Sequence, residues 1–390
     1  MTPYLKSAFL LDPEVIFLNH GSFGACPAPV MEVYQEWQRR LEKQPVQFLS
    51  RELPGLLAEA RSALAETVGC RGEDLVYIPN ATFGVNAAAR SLDLAPGDQI
   101  LTTDHEYGAC LNAWEYYSRK SGAELIQQRL PLPVRSPENL LEDIWKGVTP
   151  RTKVIFLSHI TSPTALILPV REICARAREH GILTLVDGAH VPGQIPLDLS
   201  EIGADFYTGN CHKWLLAPKG AAFLYVRPKR QDLIEPLVVS WGWGENRPYD
   251  TGSRLINLLE WRGTRDPSAA LSVPDALDFQ ERHGWAEIRE NCRELLGECL
   301  KEIDSLTGCA SLYGEMPGLY RQMAAAELPA LKDPPGYQAY LYREHRIEIP
   351  VIEWQGRNLL RISVQAYNQA SDLEALLDAL AESLESFTRG

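Results

Sequence analysis

Two residues of this chain carry chemistry that their surroundings sharpen. Asp187 ends an apolar run over residues 182–187 and is followed by Gly188-Ala189-His190. Lys213 sits in Tyr207-Thr208-Gly209-Asn210-Cys211-His212-Lys213-Trp214, among apolar and aromatic neighbours. A carboxylate at the carboxyl end of a buried strand lies where open α/β sheets bind ligands. Alone, it reads more readily as a turn or helix cap. A lysine in apolar surroundings gives up its proton easily and can form an imine with a carbonyl. The alternative is a solvated surface charge. Together, the lysine suits an aldehyde and the aspartate suits a protonated ring nitrogen.

Both residues need rigid elements behind them. Residues 99–103, 153–158, 182–187 and 221–226 are short apolar or β-branched runs, and 204–208 is a further strand-like piece before the lysine. Helical spacing lies around and between them. Val30, Val33, Tyr34, Trp37 and Leu41 share one face of 29–41, and 169–180 stops at Gly181. Such alternation predicts a mostly parallel sheet covered on both faces. From Pro267 the pattern changes to a long helix at 285–303, strands at 320–328, 347–354 and 359–366, and a last helix at 372–387. The expected fold class is α/β. A large domain of mostly parallel sheet takes 1–265 with the amino-terminal segment, and a smaller α+β domain takes 266–390.

A length of 390 residues calls for more than one core. The net charge of −13 repels nucleic acid and anionic membranes, so neither is an expected partner. Eight cysteines are scattered without a CxxC pair, which reads as reduced thiols in a cytoplasm. The first residues lack the apolar stretch of a signal peptide. No apolar run approaches the roughly 20 residues of a membrane span. No metal is expected.

Further segments extend the pattern along the chain. They are Leu18-Asn19-His20-Gly21-Ser22-Phe23-Gly24, Pro79-Asn80-Ala81-Thr82-Phe83-Gly84-Val85-Asn86 and Asp104-His105-Glu106-Tyr107-Gly108-Ala109. Ser158-His159-Ile160-Thr161-Ser162-Pro163-Thr164, Trp261-Arg262-Gly263-Thr264-Arg265-Asp266 and Leu360-Arg361-Ile362-Ser363 continue it. With the aspartate and lysine segments in this order, the chain resembles the class V aminotransferase family of fold type I pyridoxal-phosphate enzymes. Within that family it is similar to the isopenicillin N epimerase-like branch.

The resemblance implies pyridoxal 5′-phosphate on Lys213, with Asp187 at the ring nitrogen and an amino acid as small-molecule substrate. Ala81 and Thr82 would hold the phosphate through a helix start, helped by Thr208 and His212. Thr264 would reach a phosphate across the interface of a homodimer with shared active sites. Tyr107 would stack on the ring, with His105 as the rival. Ser162 and His190 would contact the phenolic oxygen. Arg361 would take the substrate carboxylate, a task that suits its bidentate geometry. Residues 241–244 and 44–51 would line the entrance.

Two departures matter. Cysteine desulfurases of this family carry a nucleophilic cysteine shortly before the substrate arginine, and residues 347–358 contain none. Ala165 stands where relatives often have glycine. The chemistry at the substrate α-carbon then divides three ways. Inversion needs an acid opposite Lys213, and the candidates are Tyr107, His20, which would also contact substrate, and His105. Loss of a β-leaving group would make a lyase, and transfer of the amine an aminotransferase. The leading expectation is an amino-acid epimerase or racemase, ahead of a cysteine-independent carbon–sulfur β-lyase. A protein that merely binds the cofactor would have no chemical need for both Asp187 and Lys213.

Overall fold

Seven strands form the central sheet of the computed structural model, which describes residues 5–245, 247, 250–314 and 316–389. The first four residues of the amino-terminal stretch lie outside this description. The strands are β1 (Leu75–Ile78), β2 (Gln99–Thr103), β3 (Glu124–Gln128), β4 (Thr152–Ser158), β5 (Leu183–Asp187), β6 (Phe206–Asn210) and β7 (Ala222–Val226). They lie in the order β1-β7-β6-β5-β4-β2-β3. β7 runs antiparallel to both neighbours, and the other pairings are parallel. Interior strands such as Val154-Ile155-Phe156-Leu157 are apolar at successive positions because both faces are buried. Only in edge strand β3 is no residue fully buried.

Helices α1 (Ala28–Lys43), α2 (Leu53–Thr67), α3 (Ala81–Arg90) and α4 (Gly108–Ser121) belong to this half. α4 stops at Gly122, whose φ of 78° satisfies the left-handed cap. The strand read at 204–208 starts later, after Gly203 ends a short helix at φ 64°. It therefore finishes at Asn210, and this two-residue displacement matters at the site.

The smaller sheet holds β8 (Met323–Leu328), β9 (Val351–Trp354) and β10 (Arg357–Ser363) in the antiparallel order β9-β10-β8. The strand expected over 347–354 breaks at Ile349-Pro350, since proline cannot donate to a ladder. Its first piece, Ile347–Glu348, pairs in parallel with Ile16–Phe17.

That pairing changes the expected partition of the amino-terminal segment. Leu5 N–H donates to the Ala366 carbonyl, and Asn19 bridges to Ser363. By hydrogen bonding, this segment extends the smaller domain. It then crosses to the large domain at Gly21 and Gly24. A Cβ on Gly21 would lie 2.4 Å from Met323 Sδ, and one on Gly24 would lie 2.8 Å from Lys213 Cα. Among the described residues, no helix is long and apolar enough to cross a membrane, all eight cysteines are free, and no metal-binding cluster occurs.

Candidate active site

The carboxyl ends of β4, β5 and β6 bring Ser158, Asp187 and Asn210 to one edge of the sheet. Asn80, Ala81 and Thr82 arrive from the start of α3, and His212 and Lys213 from the loop after β6. Arg361 comes from β10 in the smaller domain, and Ser22 and Phe23 from the crossing segment. They surround an open cleft of about 360 Å³. Nine of the residues expected from sequence line it: Ala81, Thr82, Tyr107, Ser162, Asp187, His190, His212, Lys213 and Arg361.

Lys213 Nζ lies 3.2 Å from His190 Nε2. Burial, reinforced by the Arg361 charge, lowers the lysine to about 7. Near neutral pH a large share of it is therefore a free amine, the nucleophilic form. Burial first, then the Lys213 charge, pushes His190 well below its usual range, so it is neutral.

Asp187 is held at both oxygens. Ala189 N–H donates to Oδ1 at 2.9 Å, and the Cys110 thiol donates to Oδ2 at 3.4 Å. Burial pushes its carboxyl upward against these donors and the Lys213 charge. A buried carboxylate in this position gains from a cationic partner. Glu106 lies behind the same strand ends. Its carboxylate accepts from Ser158 N–H at 2.7 Å, the Ser158 hydroxyl at 2.5 Å and the Thr103 hydroxyl at 2.6 Å. Burial raises Glu106 to about 7 despite these donors. Neither Cys110 nor Glu106 was singled out as a site residue from sequence. The spacing of Glu106 and Cys110 around Tyr107 was the available signal.

The first turn of α3 shows how an anion site is made. Asn80 Oδ1 caps Phe83 N–H at 2.9 Å, and Asn210 Oδ1 takes Ala81 N–H at 2.9 Å. Thr82, the second residue of the helix, lines the cleft, where its N–H has no carbonyl one turn back in the helix to bond. His212 Nδ1–H donates to the Ala221 carbonyl at 2.8 Å, and burial lowers the ring to about 4. Its Nε2 is left for the cleft. A helix start with an uncommitted N–H favours an anion.

Arg361 is 5% exposed and has no acidic partner among the described residues. Nη1 donates to the Ser162 carbonyl at 2.6 Å and its hydroxyl at 3.4 Å, and Nη2 donates to the Ser22 hydroxyl at 2.7 Å. Nε is buried and unpartnered. Burial lowers this guanidinium to about 10. A buried cation without a counter-charge is costly unless a ligand supplies one.

Several expectations need correction. The Thr208 hydroxyl donates to the Phe223 carbonyl at 2.9 Å beneath Gly84, outside the cleft. Asn210, one pleat further on, occupies the cleft instead. His20 is fully buried, with Nε2 on the Lys213 carbonyl at 3.1 Å and Nδ1 on the Tyr367 hydroxyl at 2.8 Å, so it does not face a substrate. His105 is fully buried between Thr164 Oγ1 at 2.8 Å and the Leu130 carbonyl at 3.2 Å. Of the three proposed acids, only Tyr107 faces the cleft, at 48% exposure. Thr264 is expected to serve a neighbouring subunit's site, and its place outside this cleft, in an apolar pocket with Leu49, Leu53 and Trp261, is no departure from that. The segments 44–51 and 241–244 do not line the described cleft. Ala165 has φ 52°, the left-handed region that glycine occupies without strain.

These residues fit pyridoxal phosphate. Lys213 offers an amine of lowered basicity, Asp187 an oriented carboxylate, Thr82 and His212 an anion site, and Tyr107 an exposed ring. Arg361 lines the same cleft with an orphaned Nε.

Comparison with known proteins agrees. The Aminotransferase class-V family profile matches residues 17–327. Isopenicillin N epimerase of Amycolatopsis lactamdurans is 39% identical over 383 residues, covering 95% of this chain and 96% of that protein. L-cysteine desulfhydrase of Arabidopsis thaliana is 29% identical over 406 residues, covering 94% of this chain and 87% of that protein. The solved structure of the cystine C–S lyase C-DES with cysteine persulfide matches at TM-score 0.82 and 23% identity, covering 97% of this chain and 99% of that one. At that identity the likeness establishes the fold alone.

Proposed function

Starting from a chain that belongs to the class-V aminotransferase family and is a pyridoxal-phosphate-dependent enzyme, we propose that it inverts the α-carbon of an amino acid. The observation that carries this reading is the pairing of Lys213 with Tyr107 in one cleft, with the other two acids turned away. The epimerase relatives support the same choice.

When bound, the cofactor supplies an electron sink beside the substrate α-carbon. The chain's own residues do the rest. Asp187 would hold a positive ring nitrogen, Thr82 and His212 the phosphate, and His190 and Ser162 the phenolic oxygen. Arg361 turns its free Nε and an Nη to the substrate carboxylate, which fixes the α-carbon between two walls. Lys213, a large share of it neutral near pH 7, takes the α-proton on one side. The Tyr107 hydroxyl returns a proton on the other. The reading includes a homodimer in which Thr264 serves the neighbouring site. Support comes from its distance from its own cleft and from exposed Val239, Trp241 and Trp243. The eight free thiols support a reducing, cytoplasmic setting.

A carbon–sulfur β-lyase is the second reading, favoured by the cysteine desulfhydrase relatives. One experiment separates the two. The protein is incubated in heavy water with an amino-acid panel that includes a substrate bearing a sulfur leaving group. Epimerisation gives deuterium at the α-carbon and loss of optical rotation with the carbon skeleton intact. Tyr107→Phe should slow inversion by about 10²-fold, the scale of one general acid. Keto acid and ammonia released in step with thiol, and faster than α-deuteration, would install the lyase instead.

A further inference from the structure

Trp214 follows Lys213 and is fully buried. Its indole Nε1 lies 3.4 Å from His190 Nδ1. Other buried indoles, those of Trp114 and Trp285, leave Nε1 without a partner, so this contact is not forced by packing alone. An indole N–H donates and cannot accept. His190 Nδ1 must therefore present a lone pair. The titratable and charged groups around His190 are Lys213, Arg361 and His20, and together with burial they keep the ring neutral. A neutral imidazole with a bare Nδ1 carries its proton on Nε2. That atom is the one 3.2 Å from Lys213 Nζ.

We propose that Trp214 is a positioning residue that fixes His190 as the Nε2–H tautomer, so that His190 donates and the Lys213 amine accepts. The opposite tautomer would set two N–H donors against each other at the Trp214 contact and turn the bare Nε2 toward the lysine amine. Both partners are braced for this role. The Trp214 carbonyl accepts from Gln280 Nε2 at 2.8 Å, and the indole packs on the His20 ring at 4.8 Å between centroids. The His190 carbonyl accepts from Gln194 Nε2 at 2.7 Å. With cofactor bound, the same Nε2–H is available to the phenolic oxygen, a step that rests on the proposed role of His190.

The tautomer is read directly by nitrogen NMR of the cofactor-free protein labelled in histidine, with His190 assigned by its loss in His190→Gln. Protonated Nε2 and bare Nδ1 are expected. A proton on Nδ1 overturns the proposal without any Trp214 variant. In Trp214→Phe the Nε2–H form should lose its dominance, and an unchanged tautomer also overturns it. In the loaded protein, a donor aimed at an anionic oxygen stabilises the more negative form of the chromophore. Losing it in Trp214→Phe should raise the pH midpoint of the visible absorption by roughly one unit, the scale of one hydrogen bond to a charged group. Glutamine has no tautomer to set, so adding Trp214→Phe to His190→Gln should move the midpoint no further. A full shift in that background would show that Trp214 acts elsewhere. A midpoint indifferent to His190→Gln would refute the contact with the phenolic oxygen, while the tautomer measurement still decides the role of Trp214.

Discussion

Arg61 and Arg361 are almost equally buried, at 6% and 5% exposure, yet their surroundings are opposite. Arg61, on α2, meets Glu260 at 2.5 Å, and the other oxygen of Glu260 takes Tyr77 N–H at 3.2 Å. Charge and hydrogen bonds are both answered within the chain. Arg361 touches one carbonyl and two hydroxyls, keeps an idle Nε and has no carboxylate partner among the described residues. Lys213 is in a similar position, with a buried Asp187 in the same cleft that is itself raised. Burial alone does not separate architecture from function. What separates them is whether the chain supplies the counter-charge or leaves that to a ligand.

The strongest test removes the amine. Lys213→Ala should lose roughly 10³-fold or more in α-proton exchange, since it deletes the proton carrier. Borohydride, which should fix the cofactor to Lys213 in the parent, should label nothing in the variant. Its thermal midpoint should be unchanged or higher, because an amine whose charged form burial disfavours has gone. A clear drop in stability would move Lys213 to the architectural class.

The two arginines should then separate by assay. Arg361→Ala should weaken substrate binding by roughly 3–5 kcal/mol while keeping cofactor colour and stability. Arg61→Ala should do the reverse. It leaves Glu260 buried and unpaired, at about 3–5 kcal/mol of unfolding free energy, with KM unaltered for the folded fraction. Urea unfolding and initial rates measured on both variants decide the matter. Similar profiles for the two would erase the distinction.

A finer effect concerns two histidines. Burial lowers His159 and His212 to about 4, from the ordinary 6.5. The unfolded chain therefore binds more protons between about 6.5 and 4, so their contribution to stability is present above that window and lost as pH falls through it. His159 bonds Tyr207 and stays away from the cleft, whereas His212 lines it. A bound phosphate should raise His212 alone. Urea midpoints followed from pH 7 to 4.5 should fall less steeply in the loaded protein, and His212→Asn should remove that difference. Parallel slopes with and without cofactor would show that His212 does not meet the phosphate.

The sequence made the alternating sheet, Asp187 and Lys213 legible because each is set by local pattern. Apolar runs declare buried strands, and a lysine flanked by Cys211 and Trp214 declares its pocket. What was misread depends on partners far away in the chain. Thr208 and Asn210 share a strand face, and the start of β6 decided which one reached the cleft. His20 and His105 look available in sequence, but Tyr367 and Thr164 claim their nitrogens. Cys110 matters only because α4 carries it to Asp187, 77 residues away. The amino-terminal segment was assigned to the large domain because its pairing strand lies near the other end of the chain.

That last pairing bears on how the protein is made. Gly21 N–H is answered by the Ser363 hydroxyl, 342 residues later, and Leu18 by Ser363 and Glu348. The crossing segment that lies against Lys213 therefore cannot settle into this pairing before β10 is made. While the ribosome is still at work, the sheet, α3 and the lysine loop have all their own strands, but the wall carrying Ser22 does not. Assembly of the cleft therefore needs β10. A nascent or truncated chain without β10 lacks both Arg361 and the support for that wall, so incomplete copies are unable to bind an amino acid in the completed cleft.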